Sequence, residues 1–152
     1  MKYTTKIRIN LSRNKVLELF DNTENLYRWQ PGLLSFTHMD GEPGEEGARS
    51  ELVYESRKEE LLIIETIKTK RLPDLFHMSY KSKGVYNEVE NCFEEIEPGI
   101  TLWRTENLFR FSGIMMFMVP FMKRAFIHNT MLNMDRFKIF AENPDEASPG
   151  KK

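Results

Sequence analysis

The sequence predicts an α+β fold in which a curved antiparallel sheet wraps its apolar side around one long helix. Three observations carry that expectation. Seven segments show the alternation of strands, two short helical segments follow the first of them, and a long stretch of period 3.6 runs from Gly113 to Phe140.

The elements follow in order. Lys2 to Leu11 places Tyr3, Thr5, Ile7, Ile9 and Leu11 on one face and Lys6, Arg8 and Asn10 on the other. Ser12 can cap a short helix that buries Val16, Leu17, Leu19 and Phe20. Thr23 can cap a second, through Leu26, Tyr27 and Trp29, which Pro31-Gly32 stops. Period two returns from Leu33 to Met39, ahead of a glycine-rich loop from Gly41 to Gly47. Strands are then predicted over Ala48 to Arg57, Glu60 to Leu72, Leu75 to Lys83, Val85 to Glu97 and Ile100 to Phe111, the last two joined by the tight turn Glu97-Pro98-Gly99.

The closing stretch reads as one helix holding six of the nine methionines and five of the eleven phenylalanines. Ile114, Met118, Phe121, Met122, Ala125, Leu132, Ile139 and Phe140 share its apolar sector, with Leu132 and Ile139 expected against the sheet. Its first half is apolar well beyond that sector, through Met115, Met116, Phe117 and Val119. Two readings stand side by side: a core helix with methionine as gap-filler, or a helix that closes over an apolar cavity and whose first turns form a mobile gate.

Composition narrows the function classes. The 152 residues suit one domain, assigned to residues 1–143, with 144–152 as a disordered tail. A net charge of −1 with dispersed Lys and Arg argues against nucleic acid. Cys92 is the only cysteine, so no intrachain disulfide forms, and it reads as a small buried or half-buried hydrophobe. The N-terminus lacks a signal-peptide run, and the longest strongly apolar stretch, Ile114 to Met122, is nine residues against the roughly 20 that a membrane span needs. The expectation is a soluble, cytoplasmic protein.

The strands divide the sheet into two faces. Trp103, Thr105, Asn107, Phe109 and Phe111 oppose Arg104, Glu106 and Arg110, and Ser50, Leu52 and Tyr54 oppose Arg49, Glu51, Glu55 and Arg57. One face is charged, the other aromatic with a few hydroxyls and amides.

With these elements in place the chain resembles the START-like (SRPBCC) superfamily of helix-grip proteins, in particular its polyketide cyclase/dehydrase and lipid-transport branch. The resemblance covers Lys2 to about Asn143. It rests on the element order, on Leu26-Tyr27-Arg28-Trp29-Gln30-Pro31-Gly32, on the hairpin from Gly41 to Arg49, and on the long helix ending Met131-Leu132-Asn133-Met134-Asp135-Arg136-Phe137-Lys138. It implies a helix-grip fold, a seven-stranded antiparallel sheet enclosing an apolar cavity against the final helix, but no residue-level motif carries an activity onto this chain.

No triad spacing, phosphate loop or zinc-like Cys/His cluster is present, so no metal and no cofactor is expected. His38, His77 and His128 lie on different elements and read as surface or rim residues, with His77 on the charged face and His128 near the apolar sector. Glu65 shares a strand face with Leu61, Ile63 and Ile67, whereas Lys68 and Lys70 fall on the other. Either Glu65 lies inside the grip with a raised pKa, as the one candidate general acid or base, or a local twist lets it reach water. The expected ligand-binding set is Trp29, Tyr54, Glu65, Tyr80, Trp103, Thr105, Asn107, Phe109, Met118, Phe121, Met122 and Ala125. The alternative for these residues is an ordinary packed core.

The function expected is binding, or transport, of an apolar or amphipathic small molecule such as a lipid, quinone or polyketide-like compound. A small aromatase/cyclase- or dehydratase-type enzyme is the alternative. A docking module, making transient contact with a membrane or a protein through the Met/Phe-rich helix end, is the third reading. The partner expected is therefore a hydrophobic small-molecule ligand, and the sequence sets no oligomeric state.

Overall fold

The computed structural model describes residues 1–145, so the expected tail lies, beyond Asp145, outside the described residues. The chain runs β1 (Lys2–Ile9), α1 (Arg13–Phe20), a 3-10 turn (Thr23–Asn25), α2 (Leu26–Trp29), β2 (Leu33–Asp40) and β3 (Arg49–Ser56). It continues through β4 (Glu59–Arg71), β5 (Leu75–Ser82), β6 (Val85–Glu97) and β7 (Ile100–Phe111) to a 3-10 turn (Gly113–Phe117) and α3 (Val119–Glu142). Every strand pairing is antiparallel, and the seven strands lie in the order β1-β7-β6-β5-β4-β3-β2. Only β1 is displaced from hairpin order, because α1 and α2 carry the chain from one edge of the sheet to the other.

Local chemistry sets the boundaries. The Ser12 side chain accepts from the Lys15 N–H and caps α1 as its sequence suggests. The turn before α2 is capped by Asn22, whose Oδ1 accepts from the Glu24 N–H at 3.1 Å, one residue ahead of the expected Thr23. An aspartate-like amide one position earlier is the better acceptor for a turn this short. In the β2–β3 loop Gly41 holds φ +79°, and a Cβ there would sit 2.8 Å from the Ala48 Cα, so the close approach requires glycine.

The long C-terminal element differs from the single helix read in the sequence. Gly113, at φ +63°, opens a separate 3-10 turn, and α3 begins only at Val119 with Pro120 in its first turn, where a missing N–H does no harm. Its 24 residues span about 36 Å. The buried face also differs. Met134, Phe137, Phe140 and Ala141 are buried, with Phe126 and Thr130 continuing the same stripe, while Leu132 and Ile139 are 40% and 62% exposed. The helix is rolled by about a third of a turn from the sector that hydropathy selects. Polar anchoring explains it: the Tyr3 hydroxyl meets Thr130 Oγ1 at 2.7 Å and the buried Thr5 hydroxyl reaches Met134 Sδ at 3.2 Å. A hydropathy sector has no place for Thr130, so it misses the face that β1 selects.

The densest packing lies where the C-terminal half of α3 meets β1, β6, β7 and α2. Ile9, Val16, Trp29, Phe93, Trp103, Met134, Phe137, Phe140 and Ala141 form one buried cluster. Phe20 leans into it, its ring 5.0 to 6.1 Å from those of Phe93, Trp103, Phe137 and Trp29. Ala48, Ile67, Phe76 and Met78 form a second, smaller cluster under the β2–β3 loop.

This arrangement makes stability strongly asymmetric along the helix and sheet. Trp103→Ala removes a ring packed on Phe93, Trp29 and Phe137 together with the Nε1–Asn91 bond, and should cost about 3–5 kcal/mol. Phe121→Ala, at a residue 87% exposed, should stay within about 0.5 kcal/mol. Urea denaturation of the two variants measures the contrast.

Candidate ligand-binding site

Between α3 and the concave face of β3–β7 lies a hollow of about 850 Å³. Its floor is the aromatic cluster, through Phe20, Trp29 and Trp103. Its walls are apolar at Leu52, Ile67, Phe76, Met78 and Val89 and polar at Ser50, Asn87, Asn91, Thr105 and Asn107. Thr130, Asn133 and Met134 of α3 face it, His38 of β2 borders it, and Asp21 to Thr23 and Pro43 to Glu45 lie on the α1–α2 and β2–β3 connections at its edge. The apolar lining that the resemblance implies is thus interrupted by a dense set of amides and hydroxyls.

The expected ligand residues separate into two groups. Trp29, Tyr54, Glu65, Tyr80, Trp103, Thr105 and Asn107 line the hollow together. Phe109, Met118, Phe121, Met122 and Ala125 do not. Phe109 points inward but its end of the grip is filled, with rings of Tyr3, Phe111 and Phe126 within 4.7 to 6.0 Å. The roll of α3 turns Ala125 outward, and the late helix start leaves Met118 and Phe121 exposed at the tip, outside the hollow. The first turns of α3 are therefore not positioned as a gate over it.

Chemistry concentrates on the strand face that carries Glu65. Glu65 pairs with Tyr80 of β5 on one side and Ser50 of β3 on the other. Burial pushes its carboxyl from the ordinary value of 4.5 up to about 7, against the weaker pull of the neighbouring Tyr80 hydroxyl, whose own hydrogen bond goes to Met78 Sδ at 3.3 Å. Burial raises the Tyr80 and Tyr54 phenols as well, and the Glu65 charge beside them raises both further, so each stays a neutral donor. Asn107 contributes an amide held only by contacts of 3.5 Å to Thr105 and Asn87. The buried Nε1 of Trp29 and Oδ1 of Asn87 have no hydrogen-bond partner among the described residues. The hollow thus offers unspent donors and acceptors around a carboxyl poised between its two protonation states.

One lysine is where alternation does not put it. The pairing of β4 with β5 slips between Ile67 and Thr69, and this bulge turns Lys70 to the concave side. Its ammonium sits 3.0 Å from the Asp21 carboxylate and donates to the Gly44 carbonyl at 2.7 Å, tying the end of α1 to the β2–β3 loop. No local residue pattern announces that bulge. The amides of β6 were readable, since Asn87 and Asn91 alternate with the acids Glu88 and Glu90. His38 borders the hollow, whereas His128 is exposed and does not line it. His77 lies on the convex side, 3.5 Å from Glu88, and Cys92 is half-buried on that side too.

The Glu65 environment has a measurable consequence. A carboxyl whose pKa is higher folded than unfolded stabilises the fold when protonated, and that contribution is lost as pH rises from 4.5 to about 7. At about 1.4 kcal/mol per pH unit the loss amounts to roughly 3 kcal/mol. Glu65→Gln should be immune to it, so the stability of the variant relative to the parent should climb across that window and then level off. Denaturant titrations at a series of pH values test this, and a flat difference would place Glu65 in water.

No family model matches the sequence, and no curated protein matches it. Solved structures do. A protein from Thermus thermophilus is similar at TM-score 0.77 and 11% identity, covering 95% of this chain and 99% of that one. A START superfamily protein from Mycobacterium smegmatis is similar at TM-score 0.76 and 10% identity, over 93% of this chain and 97% of that one. The Zhui aromatase/cyclase from Streptomyces sp. R1128 is similar at TM-score 0.74 and 9% identity, over 93% of each chain. Likeness at such identities fixes architecture and leaves chemistry to the site. The chain has the START-like helix-grip fold.

Proposed function

We propose that the chain binds, and can carry, an amphipathic small molecule of the lipid, quinone or polyketide-like class between its sheet and α3. The observation that supports this most is the hollow itself, about 850 Å³ with Glu65, Tyr54 and Tyr80 on its wall. That volume falls within the roughly 300–1,000 Å³ typical of small-molecule sites. A wholly apolar occupant would leave Asn87, Asn107 and Trp29 Nε1 buried without partners, at about 1–3 kcal/mol each. The ligand's polar groups therefore belong near Glu65, Tyr80, Asn87, Asn107 and the Trp29 Nε1, and its apolar body over Trp103, Phe76 and Met78.

Glu65 also favours a second reading, an enzyme of the cyclase or dehydratase kind. A carboxyl titrating near 7 inside a hollow can hold or release a proton at neutral pH, as a general acid or base must. Under this reading Glu65 exchanges a proton with a bound carbonyl compound while Tyr80 donates to the same group. Binding alone needs only the hydrogen bond, so Glu65→Gln separates the two: it preserves a ligand carrier and abolishes an enzyme.

Both tryptophans of the chain line the hollow, so intrinsic fluorescence reports occupancy directly. Titration with anilinonaphthalene sulfonate should give a saturable response at one site. Asn107→Phe should weaken it at least tenfold while stability moves by less than the 1–3 kcal/mol that overpacking a filled core costs. Solvent extraction of freshly purified protein, followed by mass spectrometry, should recover an amphipathic compound. An unresponsive titration together with an empty extract would reject the reading.

A further inference from the structure

The 3-10 turn and first turn of α3 present Ile114, Met116, Phe117, Met118 and Phe121 to solvent, at 78, 60, 81, 49 and 87% exposure. Five large apolar side chains so bare within eight consecutive residues exceed the scattered exposure usual on a soluble protein. Their exposure is built in rather than a frayed end. The Ser112 N–H donates to the Gly84 carbonyl at 3.0 Å, and Met115 packs so closely on Gly84 that a Cβ there would lie 3.2 Å from its Cγ. Beneath, Phe126 packs 4.7 and 5.7 Å from Phe109 and Phe111. The tip is thus fixed on the β5–β6 turn and projects outward.

Its surroundings carry charge of one sign. Lys81 and Arg110 flank a shallow groove with Gly84, Phe111 and Ser112, Lys83 sits in the same turn, and Lys123 and Arg124 follow in α3. All five cations are exposed, and none forms an ion pair among the described residues. No acid occurs between Asp74 and Glu88 or between Glu106 and Asp135. Glu88 is already engaged by Tyr86 and His77. The acids of the β3–β4 turn, Glu55, Glu59 and Glu60, lie on the far side of β5 from β7 and α3.

The geometry points to an anionic lipid bilayer as the partner of this tip, with Phe117 and Phe121 entering the boundary between headgroups and acyl chains and the five cations lying among lipid phosphates. Projecting apolar side chains ringed by cations suit a fluid anionic interface, which needs no complementary socket. Protein interfaces, by contrast, are depleted in lysine. No helix among the described residues is long and apolar enough to cross a membrane, so the contact is peripheral. It does not depend on what the hollow binds, since none of the five apolar side chains lines it.

Co-sedimentation with vesicles tests it, comparing phosphatidylcholine alone with an equal mixture of phosphatidylcholine and phosphatidylglycerol. The protein should pellet with the mixed vesicles only, and raising the salt should release it. Lys123→Ala with Arg124→Ala should lower partitioning about 30-fold, from about 1 kcal/mol per cation. Phe117→Asp with Phe121→Asp should abolish pelleting while thermal unfolding stays unchanged, which separates loss of docking from loss of fold. Absence of pelleting, equal pelleting on both vesicles, or pelleting indifferent to all four substitutions overturns the proposal. So does concentration-dependent dimerisation of the lipid-free protein that Phe121→Asp removes, since it assigns the tip to a second copy, and so does capture only by an acidic protein surface.

Discussion

The rest of the molecule depends on Phe137. Its ring is fully buried and meets Phe20, Trp29 and Trp103 edge-on at 5.1 to 5.6 Å, so one residue of α3 joins α1, α2 and β7. Arg28 lies over the neighbouring Phe140 ring at 4.7 Å and completes the clamp. With the helix fixed at that end and along β1, the strands β3 to β5 curve away from it. The hollow is what remains between a helix clamped on one side and a sheet that keeps twisting. Trp29 and Trp103 therefore serve twice, as packed core on one surface and as the floor of the hollow on the other.

The polar interior is an energetic liability that packing alone does not repair. A carboxyl, two phenols and several amides sit where apolar side chains would stabilise the fold better. Trp103 and Asn91 satisfy each other, and Thr101 binds the Leu11 carbonyl at 2.8 Å. By contrast Asn87, Asn107 and Trp29 retain unsatisfied or weakly satisfied groups, all on the hollow. The buried Nε2 of His77, on the convex side, also lacks a hydrogen-bond partner among the described residues, so unpaired polar atoms are concentrated on the hollow but not confined to it. On the hollow side Glu65 adds to them, since burial keeps its pKa raised despite the Tyr80 hydroxyl nearby.

The two ends of α3 also differ in kind. The C-terminal half is held by aromatic rings and by polar anchors to β1, whereas the N-terminal end carries apolar side chains that nothing in the described chain covers. The apolar tip and the hollow are separate features: the hollow is lined chiefly by β3–β7, whereas the exposed apolar side chains belong to the turn before α3 and the first turn of that helix.

Element order, strand boundaries and the two faces of the sheet were legible in the sequence because each depends on a local period. Tyr3, Thr5 and Ile9, or Trp103, Thr105 and Asn107, alternate without interruption, and strands pleat with period two wherever they lie. Glu65 was legible for the same reason, as the lone acid on an apolar face. The sequence alone therefore determined the α+β architecture and the inward set on β3, β4, β5 and β7. Tertiary structure decided the rest. The roll of α3 follows from the Tyr3–Thr130 contact across 127 residues, which no helical period contains. Lys70 faces inward because of one slip between β4 and β5, and a bulge is a property of two paired strands rather than of either sequence. The place of Phe121 was decided by where Gly113 and Pro120 let the helix begin and by the filled aromatic wedge at Phe109. The apolar periodicity of a helix records how apolar each direction is, but which direction meets the sheet depends on the few contacts that can form there.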